Sequence, residues 1–311
     1  MGITREDALD CFNSNDLIGI GMEADAVRRK LHPEGVVSYT IDGMIDYNAP
    51  GIYNKIEEIV AMGGTGVTLQ GEVLPDHTIA WFESLLIDIK KRYPALWLHS
   101  LSATEILTIA RQSGLTVGDT IARLQAAGLD SIPGNDAGIL DDGVHHQGPR
   151  SRWKAADWVA VHRTAHGLGI QTAATMVFGG GETMEHRISH LETLRRLQEE
   201  TGGFASFTPW SYLPQSSAVR GFEEATAVEY LKTLGISRLF LDNIANVQSN
   251  LETQGLKVLQ VGLRFGGNDV GSVPLGQSAN AATEEQLRQV IRDAGFKPIQ
   301  RDTLFRTMFL N

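Results

Sequence analysis

The chain has 311 residues, 42% hydrophobic and 21% charged, which suits one large globular domain with a substantial core and argues against disorder. Its formal net charge of −10, from 27 Lys+Arg against 37 Asp+Glu, gives no overall attraction for nucleic acid or for an anionic membrane surface. The apolar runs are far shorter than the ~20 residues of a membrane span, the opening "MGITREDALDCFNSND" is polar where a signal peptide is apolar, and Cys11 is the only cysteine. A lone thiol excludes an internal disulfide, a cysteine zinc site and an iron–sulfur cluster held by one chain. The expectation is a cytoplasmic protein with no metal site of its own.

In chain order, residues 1–35 are expected to form a small helical cap. Residues 36–311 then carry eight strand-like runs: "VVSYTID" (36–42), "GVTLQGE" (66–72), "LWLHSLS" (96–102), "LDSIPG" (129–134), "QTAATMVFG" (171–179), "FASFTPWSYL" (204–213), "SRLFLDNI" (237–244) and "LQVGLRFGG" (259–267). Each is a short apolar run closing on polar or glycine residues, the pattern of a strand buried on both faces. Helical patterns alternate with them, among them "NKIEEIVAMGG", "AWFESLLIDIKKRYP", "ATAVEYLKTLG", "NVQSNLETQGLK" and "TEEQLRQVIRDAG". Eight such units make an α/β fold, a (β/α)8 TIM-type barrel in a single domain. A doubly wound open sheet is the weaker alternative, because no strand is followed by a G-x-G-x-x-G turn.

Barrel chemistry sits at the C-terminal ends of strands, so the pocket can be read off the strand ends. Glu72, His99, Asp136 and Asp242 are the candidates for acid/base work, His99 because its ordinary pKa lies near neutrality. Acids converging on one mouth repel one another unless a cation or a donor-rich ligand meets them. Asp242 and Asn243, with Asn268 and Asp269, suit hydrogen bonding to ribose hydroxyls or equally Asx turns. Trp210 and Tyr212 either stack on a ring or belong to the core. His186 and His190 stand four residues apart on a helix, read as a solvated face rather than a metal pair. His145 and His146 fall in the polar stretch "DDGVHHQGPRSR". Cys11 reads as a structural residue of the cap.

Several segments in order, including "LHPEGVVSYTIDGMIDYN", "AMGGTGVTLQG", "TGGFASFTPW", "LDNIANVQSN" and "TQGLKVLQVGLRFGGNDVGSV", together resemble the cyclic dehypoxanthinyl futalosine synthases. These are radical S-adenosylmethionine enzymes of the futalosine route to menaquinone, akin to the aminofutalosine and deazaflavin-cofactor synthases. The resemblance implies a barrel, a 4Fe-4S cluster, S-adenosylmethionine and a nucleoside-like substrate. It assigns Gln70, Gly71, Glu72 and Thr175 to S-adenosylmethionine, and Gln248, Asn268, Asp269 and Ser272, with Trp210 and Asn243, to substrate.

The family's C-x-x-x-C-x-x-C loop would fall between Asn48 and Ile52, where this chain reads only "NAPGIY". Cys11 alone cannot replace three thiolates. Gly138 and Gly180 stand where the family has a glutamate and a histidine, and "VPLGQSANAATEE" departs from its acidic segment. The expectation is a clusterless homologue that binds a nucleoside-like molecule, with S-adenosylmethionine left open as a ligand and non-radical chemistry if any. Two alternatives stand beside it: a radical cyclase whose cluster loop is missing from this sequence, and a non-catalytic partner of an active homologue. A homodimer or a hetero-complex with that homologue is the oligomeric expectation.

Overall fold

The computed structural model describes residues 2–144, 153–213, 224–273, 282–306 and 308–309. His145, His146 and the whole segment 274–281 therefore lie outside the described residues. Two helices open the chain, α1 (Arg5–Asn13) and α2 (Leu17–Leu31). Next come β1 (Val36–Thr40), β2 (Asp42–Asp46), α3 (Ile52–Ala61), β3 (Gly66–Gln70), α4 (Ile79–Arg92), β4 (Trp97–Leu98), α5 (Ala103–Ser113) and α6 (Val117–Ala127). The second half runs α7 (Ala155–Gly167), β5 (Thr172–Phe178), α8 (Met184–Thr201), β6 (Phe204–Ser211), α9 (Ala227–Phe240) and β7 (Asn246–Val247). It closes with α10 (Gly255–Gly262), β8 (Asp269–Ser272), α11 (Glu284–Asp293), β9 (Lys297–Arg301) and β10 (Met308–Phe309).

Pairing divides the strands into three sheets, ordered β10-β9-β1-β8, β2-β3-β4 and β5-β6-β7, parallel throughout except for β10 on β9. Isolated parallel bridges join them: His99 to Ser131, Ile132 to Thr172, and Gln248 to Asp269. Pairings and bridges together step from β2 through β3, β4, residues 131–132, β5, β6, β7 and β8 to β1, which adjoins β2 through Ile41. The architecture is TIM-type, but its ladder is interrupted and no single closed sheet forms among the described residues. The "LDSIPG" strand is reduced to the two bridges at Ser131 and Ile132.

Local sequence explains most helix starts. At α5 the Ser102 N–H and hydroxyl both donate to the Glu105 carboxylate, at 2.7 and 2.6 Å, a capping box in "SATE". Thr116, Thr183, Thr226 and Thr283 cap α6, α8, α9 and α11 with their hydroxyls. Strand alternation then sorts the faces: Val37, Tyr39 and Ile41 enter a core with Leu259, Leu263, Leu287 and Ile291, which leaves Ser38, Thr40 and Asp42 on the inner face.

Two expected strands are helices. "SRLFLDNI" begins inside α9, and "LQVGLRFGG" begins inside α10 and continues as turns. Helix α9 is buried along nearly its whole length from Tyr230 to Phe240, so its sequence shows no polar stripe that would betray the helical period. The strands of these units are the short, polar β7 and β8, and "NVQSNLETQGLK", expected as one helix, supplies β7, a loop and the start of α10.

Candidate functional site

The floor of the lumen is an ion pair that the sequence did not announce. Arg301 of β9 grips Asp269 with two bonds, Nε to Oδ2 at 2.5 Å and Nη2 to Oδ1 at 2.8 Å. The Ser38 hydroxyl donates to the same carboxylate at 2.5 Å, and the Gly271 N–H at 2.7 Å. Remaining guanidinium capacity goes to the Asp302 and Thr303 carbonyls. Asp269 is 0% and Arg301 2% exposed, so this is a saturated buried pair, a positioning element at the base of the lumen. Its sequence signal was weak, because Arg301 belongs to a C-terminal strand that pairs on the outer side of β1.

Around this floor stand the strand-end residues. His99 shares Ser131 with Trp97: its Nδ1 lies 2.7 Å from the Ser131 hydroxyl, and Trp97 Nε1 donates to that oxygen at 2.8 Å. Burial first, and the nearby Arg301 charge second, hold the His99 pKa down to about 4, so the imidazole is neutral at physiological pH. The Asp42 carboxyl lies beside the Ser272 hydroxyl, and burial raises its pKa. The Ser272 hydroxyl also donates to the Asp42 carbonyl at 2.8 Å. Gln248 accepts the Thr208 hydroxyl at 2.7 Å. Trp210 lies two residues beyond Thr208 on the same face of β6, half-buried, and its Nε1 has no partner among the described residues.

The mouth beside β2 and β3 is where the family's cluster loop would lie. Here residues 46–51 form a tight turn: Ala49 N–H reaches the Asp46 carbonyl at 3.0 Å, Asn48 N–H the Asp46 carboxylate at 2.8 Å, and Gly51 takes φ +80° before α3 starts. Two of its side chains hold the end of β3. Tyr47 donates to the Gly71 carbonyl at 2.8 Å and Asn48 Nδ2 to the Glu72 carbonyl at 3.0 Å. Glu105, whose pKa burial raises, accepts the Gly71 N–H at 3.0 Å. The Tyr47 ring meets Phe82 edge-on at 5.3 Å, and His77 stacks on Trp81 at 4.0 Å beside it.

A 4Fe-4S cluster takes three or four thiolates. Cys11 lies in α1, which packs on α8 and α9, and the turn 46–51 holds only carboxylate, phenol, amide and backbone groups. These residues do not fit the cluster. Among the described residues there is also no group of three His, Cys, Asp or Glu side chains placed to hold a metal.

The structure redistributes several expected site residues. Asp242 and Asn243 follow the C-terminal end of α9: Asp242 lies 3.6 Å from Arg195, while Asn243 donates to the Arg195 carbonyl. Gln198 bridges Asn243 to Phe204, the first residue of β6, which places both residues at the end of the fold opposite the mouth. The cause is the helix read as a strand. Asn268 is spent on structure, accepting from Arg238 at 2.7 Å and Val247 N–H at 2.9 Å and donating to Asn246. Asp136 accepts the Thr104 N–H at 2.7 Å and Trp158 Nε1 at 2.9 Å, tying α5 to α7, and burial raises its pKa. Thr175 donates to the Gly134 carbonyl, Gln70 is half-buried and the Glu72 side chain is exposed. His186 closes the capping box of α8, whereas His190 is fully buried with Nδ1 accepting the Leu140 N–H at 3.0 Å, so the solvated-face reading fails for it. The two histidines serve different structural tasks.

Fold and site define a TIM-type chain with a polar lumen. Methylornithine synthase (PylB) superposes with TM-score 0.66 at 14% identity over 96% of this chain and 94% of its own, a likeness of fold alone. Residues 201–309 match the CofH/MqnC C-terminal region. The sequence is 34% identical to the cyclic dehypoxanthine futalosine synthase of Streptomyces coelicolor over 99% of this chain and 86% of the relative. It is 36% identical to the 5-amino-6-(D-ribitylamino)uracil–L-tyrosine 4-hydroxyphenyl transferase of Methanococcoides burtonii over 83% and 77%. The chain belongs to the cyclic dehypoxanthine futalosine synthase family. No helix among the described residues is long and apolar enough to cross a membrane.

Proposed function

We propose that this chain is a clusterless member of its family that binds a small, polar, nucleoside-like ligand in the lumen, any reaction proceeding by proton transfer and polar steps. The observation that carries this is the turn 46–51, which joins β2 directly to α3 and donates to the β3 end through Tyr47 and Asn48. The alignment with the Streptomyces relative supports it, spanning 344 residues against a chain of 311, so parts of the relative have no counterpart here.

The same turn bears on S-adenosylmethionine. The Gly71 and Glu72 carbonyls at the "QGE" segment already accept hydrogen bonds from Tyr47 and Asn48, so a ligand ammonium would compete with the chain's own donors. Within the lumen, His99, its pKa held down to about 4, stays neutral and serves a ligand as a hydrogen-bonding imidazole.

The test is a pair of measurements on the full chain, after the gene has been sequenced across codons 40 to 60. Anaerobic incubation with iron and sulfide should yield no cluster by electron paramagnetic resonance after reduction, while calorimetry with dehypoxanthinyl futalosine should show saturable binding and S-adenosylmethionine markedly weaker binding. A stable reconstituted cluster, or no binding of the nucleoside, overturns the reading.

A further inference from the structure

One strip of the lumen wall combines polar side chains from four neighbouring strand positions. Thr208 and Trp210 lie on β6, Gln248 accepts from Thr208 and bridges to Asp269, and Thr40 stands in register with Ser272 across β8 and β1. Asp42 follows Thr40 on the same inner face. Unlike the floor beneath it, this strip has unused hydrogen-bonding capacity. Thr40 is 2% exposed, yet its hydroxyl has no partner among the described residues, and the Trp210 indole N–H is likewise buried without one. Buried polar groups in folded proteins are nearly always bonded, so two on one wall are groups that a ligand can satisfy. Arg301, the cation whose charge acts on Asp42, is itself committed to Asp269.

The mixture of donors and acceptors decides the ligand chemistry. An ammonium would suit the carboxylate and the Thr40 oxygen but offer no acceptor to the Trp210 N–H, and an anion would be repelled by Asp42, whose charge also acts on Glu252. Hydroxyl groups both donate and accept. We propose that this strip binds the adjacent hydroxyls of a sugar ring, with Asp42 accepting from them and Thr40 and Trp210 donating to ligand oxygens. Met44, the next residue on this face above Asp42, is 67% exposed, which sets the strip just below the surface of the mouth. The proposal rests on the nucleoside-like reading of the lumen and adds Asp42 and Thr40 as the sugar anchor.

The experiment is calorimetric titration of the wild type, Asp42→Asn and Thr40→Val with dehypoxanthinyl futalosine and, separately, with D-ribose, each variant checked for an unchanged thermal transition. Asp42→Asn is expected to weaken both probes about tenfold, because it removes a charge-assisted acceptor, and Thr40→Val by a smaller factor. Dehypoxanthinyl futalosine bound equally by wild type and both variants would overturn the sugar site while leaving the nucleoside reading intact. Asp42-dependent binding of ribose without any nucleoside binding would keep the sugar site and end that reading. If Asp42→Asn alone loses its thermal transition, Thr40→Val decides, and unchanged affinity in that variant overturns the proposal.

Discussion

The lumen floor and the wall above it are built from the same residue types and behave differently. At the floor, Asp269 accepts from two guanidinium nitrogens, a hydroxyl and an amide, and all of this is buried. Immediately above, Asp42 has the Ser272 hydroxyl beside it, and the Thr40 hydroxyl has no partner among the described residues. A saturated polar cluster is architecture, because every group finds its partner within the chain, whereas an unsaturated one one pleat away is where a ligand gains by binding. Asp136 and Asn268 fall on the architectural side by the same criterion.

The strongest way to break this distinction is Arg301→Leu, which strands a buried carboxylate. Chemical denaturation should register a loss of about 3–5 kcal/mol, and a loss below about 1 kcal/mol would mean that the floor is not the structural element described. Glu105→Ala should cost about 1–3 kcal/mol by the same assay, since it releases the Gly71 and Ser102 N–H groups inside the fold. Asp42→Asn sharpens the contrast. Its carboxyl is raised by burial, so the amide should leave stability at neutral pH unchanged or slightly higher while ligand affinity falls about tenfold.

Acid should act through buried histidines. His166 is held down to about 4 from 6.5 by burial, and His162 lies well below 6.5 for the same reason. The unfolded chain therefore binds more protons across this interval, so the contribution to stability is complete above 6.5 and is lost as pH falls toward about 4. Their geometry agrees: the Thr172 hydroxyl is shared by His162 Nδ1 at 2.9 Å and His166 Nε2 at 2.8 Å, so a proton added to the ring nitrogen that accepts from it meets the hydroxyl hydrogen and forces it to turn away. Urea midpoints at about pH 7 and about pH 5 should diverge less in His166→Gln than in the wild type. Buried Asp42, Glu105 and Asp136 work in the opposite sense, since raised carboxyls favour the folded state as pH falls. The smallest effect is expected from Asp242→Ala, at the far end of the fold, which should leave ligand affinity unchanged; a clear loss of affinity would put that end back into the site.

How much of this was legible can be followed residue by residue. The family was readable because matching segments run the length of the chain. The single cysteine, Cys11, was a matter of direct count. Strands β5 and β6 fell where alternation and flanking turns placed them. Strands β7 and β8 did not, because apolar periodicity cannot separate a buried helix from a buried strand over eight residues. That error carried Asp242 and Asn243 to the wrong end.

By itself, then, the sequence determined the kind of fold and the family, both of which follow from composition, local period and linear motif. Only the tertiary structure decided that Arg301 and Ser38 reach Asp269, that Tyr47 and Asn48 bond the Gly71 and Glu72 carbonyls, and that the Thr40 hydroxyl has no partner among the described residues. Those facts depend on partners as many as 231 residues apart in the case of Ser38 and Asp269. Whether a polar side chain is spent or available is set by such partners, and no local pattern records them.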